Sequence, residues 1–158
     1  MSSSHSKKVQ ELLHQLSAGF EDDTDRYQPI DVLGKGGFGE VERCFDLQLN
    51  RVVARKSLHA NGLPLKESLG LLLNEARLIS FIDHPGVVPV YDISLGAEGR
   101  FNYTMKVLEG TDLGVLLNEW TSEDEFISLP QILKIFTKLC ETMAYAHAKG
   151  VLHLDIKP

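Results

Sequence analysis

Gly34, Gly36, Gly37 and Gly39 crowd into the run LGKGGFGEV between Leu33 and Val41. A glycine-rich turn between two strands lets backbone amides approach phosphate oxygens with no side chain in the way. A hairpin that merely needs glycine would explain one or two of these four, and a dinucleotide-binding turn of the same spacing would open a helix, whereas Val41 to Phe45 continue as strand. Lys56 closes the run Val53, Ala54, Arg55, Lys56, where an ammonium held near a nucleotide can neutralise phosphates. Glu75 lies in an apolar helical pattern on the same side as Leu71, Leu72, Leu78 and Ile79. A carboxylate turned toward such a face is costly unless paired, and Lys56 is its natural partner. Asp155 and Lys157 complete the set in the closing run His153, Leu154, Asp155, Ile156, Lys157, Pro158.

The elements that must position these groups follow from periodicity. Val9, Leu12, Leu13, Leu16 and Phe20 predict a short amphipathic helix before the acidic run Glu21 to Asp25. From Tyr27 the pattern turns to strands: one around Ile30 and Val32, one over Val41 to Phe45, and one over Arg51 to Lys56. Three such strands in succession make a meander. After a turn at Asn61 and Gly62, Leu69, Leu72, Leu73, Ala76 and Ile79 predict a helix, which His84, Pro85 and Gly86 end. Val87 to Ile93 and Phe101 to Val107 predict two more strands around a Gly96 to Arg100 turn, with Phe101, Tyr103, Met105 and Val107 on one face. Leu113, Leu116 and Leu117 predict a short helix, and Ile132, Ile135, Phe136, Leu139, Met143 and His147 a longer one that opens at Pro130 and ends near Gly150. Val151 to His153 is expected to be a short strand.

Composition excludes several classes. With 43% hydrophobic and 24% charged residues over 158 positions the chain can bury a core, and a net charge of −6 opposes nonspecific nucleic-acid binding. Cys44 and Cys140 have neither zinc-ligand nor disulfide-framework spacing. No signal peptide or membrane-spanning stretch is evident, so no membrane segment and a cytoplasmic location are expected.

The glycine loop, V-A-x-K, the helix glutamate, His84-Pro85, Tyr103-Thr104-Met105-Lys106 and H-x-D-x-K-P, in this order, resemble a Hanks-type serine/threonine protein kinase of the bacterial kind from Tyr27 to Pro158. The resemblance implies an α+β fold: a protein-kinase-like N-terminal lobe of five antiparallel strands plus one helix (27–107), then a hinge and partial helical C-terminal lobe (108–158). Residues 1–26, outside the resemblance, are expected to form an N-terminal amphipathic helix and acidic linker. It implies ATP as cosubstrate, a protein substrate bearing a Ser or Thr hydroxyl, and no nucleic-acid partner. Leu33, Val41, Ala54, Met105 and Leu113 would surround adenine, with the Lys106 and Leu108 backbones at its edge and Asp112 near the ribose. Gly34, Lys35, Gly36, Gly37, Phe38, Gly39 and Lys56 would meet the phosphates. Lys56, Glu75, Asp155 and Lys157 would be catalytic, Asp155 orienting the substrate hydroxyl and Lys157 meeting the transferred phosphoryl group.

Two departures stand out. Leu154 replaces the usual arginine, which removes the cationic anchor for a phosphorylated activation loop. The asparagine and D-F-G aspartate that hold Mg2+ in the intact domain would fall beyond Pro158, so no metal ligand is assigned here. The 158 residues are expected to be a truncated product, inactive alone, that self-associates through the apolar stripe of its last helix. The rival readings are a non-catalytic nucleotide-binding or interaction module derived from a kinase, and a small-molecule phosphotransferase, which Lys157 and His84-Pro85 disfavour.

Overall fold

The computed structural model describes residues 23, 25–36, 39–58, 65–96, 100–119 and 128–158. The expected helix from Val9 to Phe20, the turn at Asn61 and Gly62, and residues 97–99 of the Gly96 to Arg100 turn lie outside them. Two compact units are present: residues up to Ser80 with Pro89–Val107, and Phe81–Val88 with Leu108–Pro158.

The first unit is an antiparallel sheet of β1 (Tyr27–Gly36), β2 (Gly39–Asp46), β3 (Arg51–Leu58), β4 (Val90–Gly96) and β5 (Arg100–Met105), ordered β1-β2-β3-β5-β4, with helix α1 (Leu65–Phe81) between β3 and β4 in sequence. The β1–β2 register closes at Gly36 opposite Gly39, so the glycine run is the hairpin end. Leu72, Leu73 and Ala76 of α1 are buried with Phe101 and Tyr103 of β5, and Ile79, Val90, Ile93 and Met105 pack against them. Periodicity found this buried stripe, but Leu71 and Leu78 are exposed and do not share it. One turn of helix cannot face the sheet on all sides, and the 3.6-residue period puts positions 72, 73, 76 and 79 on the covered arc.

Tyr27, Cys44 and Val53 form a second buried cluster. Arg26, just before β1, donates to Asp46 through Nε and Nη2, each at 3.1 Å, and to Asp92 of β4 through Nη1 at 2.7 Å. Because β1 and β4 are the two outer strands, this one guanidinium ties opposite margins of the sheet. Asp46 is buried, also accepts the Gln48 and Leu49 N–H groups, and is held below the usual carboxylate range chiefly by its hydrogen bond to Arg26. The Ser94 hydroxyl donates to the buried carboxylate of Asp23, so the residues ahead of β1 are fastened to β4 twice.

The second unit contains α2 (Leu113–Glu119) and α3 (Leu129–Ala148). Gln131 Oε1 accepts both the N–H of Ser128 (2.9 Å) and its hydroxyl (2.7 Å) at the start of α3, with Pro130 in the first turn. At its end the Val151 N–H reaches Ala146 O and the Gly150 N–H reaches His147 O, with Gly150 at φ +75°. That is the Schellman closure, which needs a residue without a Cβ penalty in the left-handed region. Three sequence expectations change. Val87 to Pro89 and residues 106–107 are outside the strands, and Val151 to His153 is not a strand. Short β-branched runs such as Val87-Val88 satisfy strand propensity but become strand only where a neighbour offers a ladder.

Candidate active site

In an antiparallel ladder, residues directly opposite each other present side chains to the same face. Val41 lies opposite Lys56, Lys56 opposite Tyr103, and Ala54 opposite Met105, so β2, β3 and β5 bring Val41, Ala54, Lys56, Tyr103 and Met105 to one face. The residues of α1 that pack on Tyr103 and Met105 identify this as the helix-covered face. Arg55, one residue along, turns to the other side and pairs with Glu42 at 2.9 Å.

Lys56 Nζ donates to Glu75 Oε1 at 2.6 Å. Glu75 keeps 39% of its side chain exposed and Lys56 23%, so the pair is half in water, and its Coulomb energy is correspondingly screened. The same Glu75 oxygen accepts a second hydrogen bond, from the Tyr103 hydroxyl at 3.0 Å. Tyr103 is 1% exposed, and burial followed by the Glu75 charge pushes its phenol well above the ordinary tyrosine range. In the sequence Tyr103 reads as a member of the apolar β5 face and as the first residue of the Tyr103-Thr104-Met105-Lys106 motif, with no role for its hydroxyl. The available signal was a hydroxyl in a row otherwise made of Phe101 and Met105.

The glycine hairpin is described on both arms but not at Gly37 and Phe38. Among the described residues a Cβ at Gly34 or Gly36 would meet nothing within 4 Å. Lys35 is paired with Glu40 across the hairpin at 2.9 Å. Leu33 is exposed and Met105 partly buried, while the Lys106 N–H is engaged by Pro89 O at 3.2 Å.

In the second unit Leu108 is exposed and Leu113 half-buried. Asp112 caps α2: its Oδ1 accepts the Val115 N–H at 2.8 Å and its carbonyl the Leu116 N–H at 3.1 Å. Asp155 accepts from Lys157 Nζ at 2.8 Å, both side chains being largely exposed. That hydrogen bond and the lysine charge hold the Asp155 carboxyl below its ordinary 3.8, so it is an acceptor at neutral pH. Leu154, 90% exposed, is in the left-handed region at φ 61°, which costs a non-glycine residue about 1 kcal/mol and turns the chain sharply between His153 and Asp155. The Asp155 N–H reaches His153 Nδ1 at 3.3 Å across that turn.

Among the described residues no cluster of three or more His, Cys, Asp or Glu could hold a metal ion, and no helix is long and apolar enough to cross a membrane.

The family described as protein kinase domain matches residues 27–158. The serine/threonine-protein kinase PknD of Chlamydia trachomatis is 41% identical over 144 residues, covering 84% of this chain and 15% of that protein. PknD of Chlamydia muridarum is 40% identical with the same coverage, and PknD of Protochlamydia amoebophila 33% identical over 150 residues, covering 90% of this chain. The chain thus spans 15% of the length of these curated relatives. With the match running from β1 through Pro158 and the lysine–glutamate pair formed on the expected strand and helix, the chain belongs to the protein kinase domain family, among the Hanks-type serine/threonine kinases of bacteria.

Proposed function

We propose that these residues serve ATP-dependent phosphorylation of serine or threonine hydroxyls in proteins. The observation that carries this reading is the 2.6 Å pair between Lys56 and Glu75, on the sheet face that also bears Val41, Ala54 and Met105. The residues fit the nucleotide: an ammonium with donors beyond the one given to Glu75, beside a hairpin whose Gly34 and Gly36 carry no side chain to obstruct phosphate oxygens. ATP supplies the phosphoryl group, and magnesium, when bound, neutralises the phosphate charge.

What the chain's own residues contribute is positioning and electrostatics, the main terms in phosphoryl transfer. Glu75 holds Lys56 in one rotamer so that its charge is already in place when phosphates arrive. The hairpin from Gly34 to Gly39, including Lys35, Gly37 and Phe38, offers backbone N–H groups to them. Leu33, Val41, Ala54, Met105 and Leu113 supply apolar surface for adenine, the Lys106 and Leu108 backbones its hydrogen bonds, and Asp112 a contact near the ribose. Asp155, ionised at neutral pH, accepts a hydrogen bond from the substrate hydroxyl and so aims its oxygen, while Lys157 offsets charge on the transferred group.

We extend the proposal to the 158 residues as an isolated polypeptide. They contain no asparagine and D-F-G aspartate after Asp155 to hold magnesium, so alone they are read as catalytically silent, binding nucleotide weakly and with little dependence on magnesium. The same polypeptide is read as self-associating through α3, and its setting as cytoplasmic. In the full-length protein, Lys56→Met and Asp155→Asn should each lower kcat for phosphorylation of a protein substrate by at least about a hundredfold. Calorimetric titration of the isolated polypeptide with ATP, with and without magnesium, tests the second part. Undiminished turnover in Asp155→Asn would reject the assigned mechanism, and a strong magnesium requirement in the isolated polypeptide would show that another carboxylate holds the metal.

A further inference from the structure

We infer that the segment from Asp23 to Tyr27 is a strap that closes the reverse face of the sheet and lifts as one unit, so that the folded lobe begins ahead of β1 and the residues before it are fastened to the lobe at β4.

The face turned away from α1 is polar. Glu42, Arg55, Thr104 and Asp92 are direct partners in turn across β2, β3, β5 and β4, and Ser57, Asn102 and Ser94 form the next row on the same side. A polar face of an antiparallel sheet ordinarily lies in water. Here Ser94 is 2% exposed, Asn102 4% and Thr104 1%, so this face is covered. Among the described residues, the segment that meets it is the one entering β1. The Ser94 hydroxyl donates to Asp23, Arg26 Nη1 donates to Asp92 at 2.7 Å, and Tyr27 is buried with Cys44 and Val53.

These anchors are joined to one another. The Arg26 N–H reaches Asp23 O at 2.9 Å, closing a turn, and the Arg26 carbonyl accepts the Leu47 N–H at 3.0 Å. Asp23 is itself buried, and a carboxylate in such a place is costly unless it is hydrogen-bonded. Neither Asp23 nor Arg26 lies within residues 27–158, the part that matches the protein kinase domain family. The strap therefore belongs to this lobe by its contacts and not by the family pattern. Its position gives it leverage on the other side of the sheet, because Arg55 and Thr104 alternate along β3 and β5 with Ala54, Lys56, Tyr103 and Met105.

The two cysteines supply the test. Cys44, wholly buried with Tyr27, becomes reachable when the strap lifts, whereas Cys140 is exposed and serves as the reference for the reagent. Iodoacetamide labelling of the full chain is followed at each cysteine by mass spectrometry, with hydrogen exchange of the α1 amides from Gly70 to Ser80 reporting any wider unfolding. Asp92→Ala removes the β4 anchor of Arg26 while leaving the Arg26–Asp46 pair in place, and Ser94→Ala removes the anchor of Asp23. Each should speed Cys44 labelling by about tenfold, the scale of one hydrogen bond to a charged group, with α1 exchange unchanged. The two together should multiply, because both bonds hold one segment. Ser94→Ala decides the matter if Asp92→Ala does not fold. Cys44 labelling that is unaffected by Ser94→Ala, or α1 exchange that rises as much as Cys44 labelling, would overturn the inference. No nucleotide is used, so the functional reading can fail without touching this result.

Discussion

Asp155 and Lys157 show how two exposed side chains two residues apart can set a protonation state without burial. The hydrogen bond at 2.8 Å and the lysine charge favour the carboxylate, so its midpoint falls below 3.8 and the charged form persists to lower pH than for an isolated aspartate. Replacing the lysine by methionine removes both causes. The Asp155 carboxyl, followed by carbon NMR through an acid titration, should move up toward 3.8 in Lys157→Met, and an unchanged midpoint would mean that the pair does not persist in solution. At the same scale the sequence disclosed Lys56, Glu75 and Asp155 because each is a charge in a patterned context. It did not disclose Tyr103, whose ring satisfies the apolar pattern and whose hydroxyl acquires meaning only from a helix 28 residues earlier in the chain.

Between elements, the turn after α1 passes close against α3 within the second unit. A Cβ on Gly86 would fall 2.1 Å from Thr142 Oγ1 and 3.1 Å from both its Cβ and Cγ2. Rotating the threonine exchanges one clashing branch for the other, and its hydroxyl is already engaged by the Lys138 carbonyl at 2.8 Å. Gly86→Ala should therefore lower stability by roughly 1–3 kcal/mol in denaturant unfolding, as overpacking does. Adding Thr142→Ala should restore most of that loss, and equal losses in the single and double variants would exclude the contact as the cause. The glycine was visible in the sequence as a helix terminator after His84 and Pro85. Its close approach to a residue 56 positions later was not, because helix periodicity identifies a buried stripe without naming what lies against it.

On the scale of the whole molecule, the sheet with α1 is the N-terminal lobe of the protein kinase fold, and the helices after Val107 belong to its helical lobe. Their apolar surfaces differ in coverage. The sheet buries Leu72, Leu73, Ala76, Phe101 and Tyr103 in one cluster, while on α3 Ile132, Leu133, Ile135, Phe136 and Leu139 are all exposed. At about 25 cal/mol per Å2, covering several such side chains would contribute on the order of 5 kcal/mol, comparable with the net stability of a domain. Contiguous apolar surface of this kind drives association. Sedimentation of the isolated polypeptide should show concentration-dependent oligomers that Phe136→Glu with Ile132→Glu diminishes, and a monomer at all concentrations would refute association through α3.

The order of glycine turn, strand lysine, helix glutamate and Asp-x-Lys, together with element types at periods of 2 and 3.6, was fixed by local sequence, and from it the five strands, the helices and the Lys56–Glu75 pair could be read. These features are legible because each depends on the spacing of residues within one element, or on a charge that needs a partner in an apolar setting. Tertiary structure decided the rest: that β5 lies between β3 and β4, which places Tyr103 opposite Lys56; that Arg26 spans Asp46 and Asp92; and that Val151 to His153 has no ladder to join. Each of these depends on which distant segments meet, and the cost of closing the intervening loop is offset only by the sum of contacts made on closure, a quantity that no local pattern encodes.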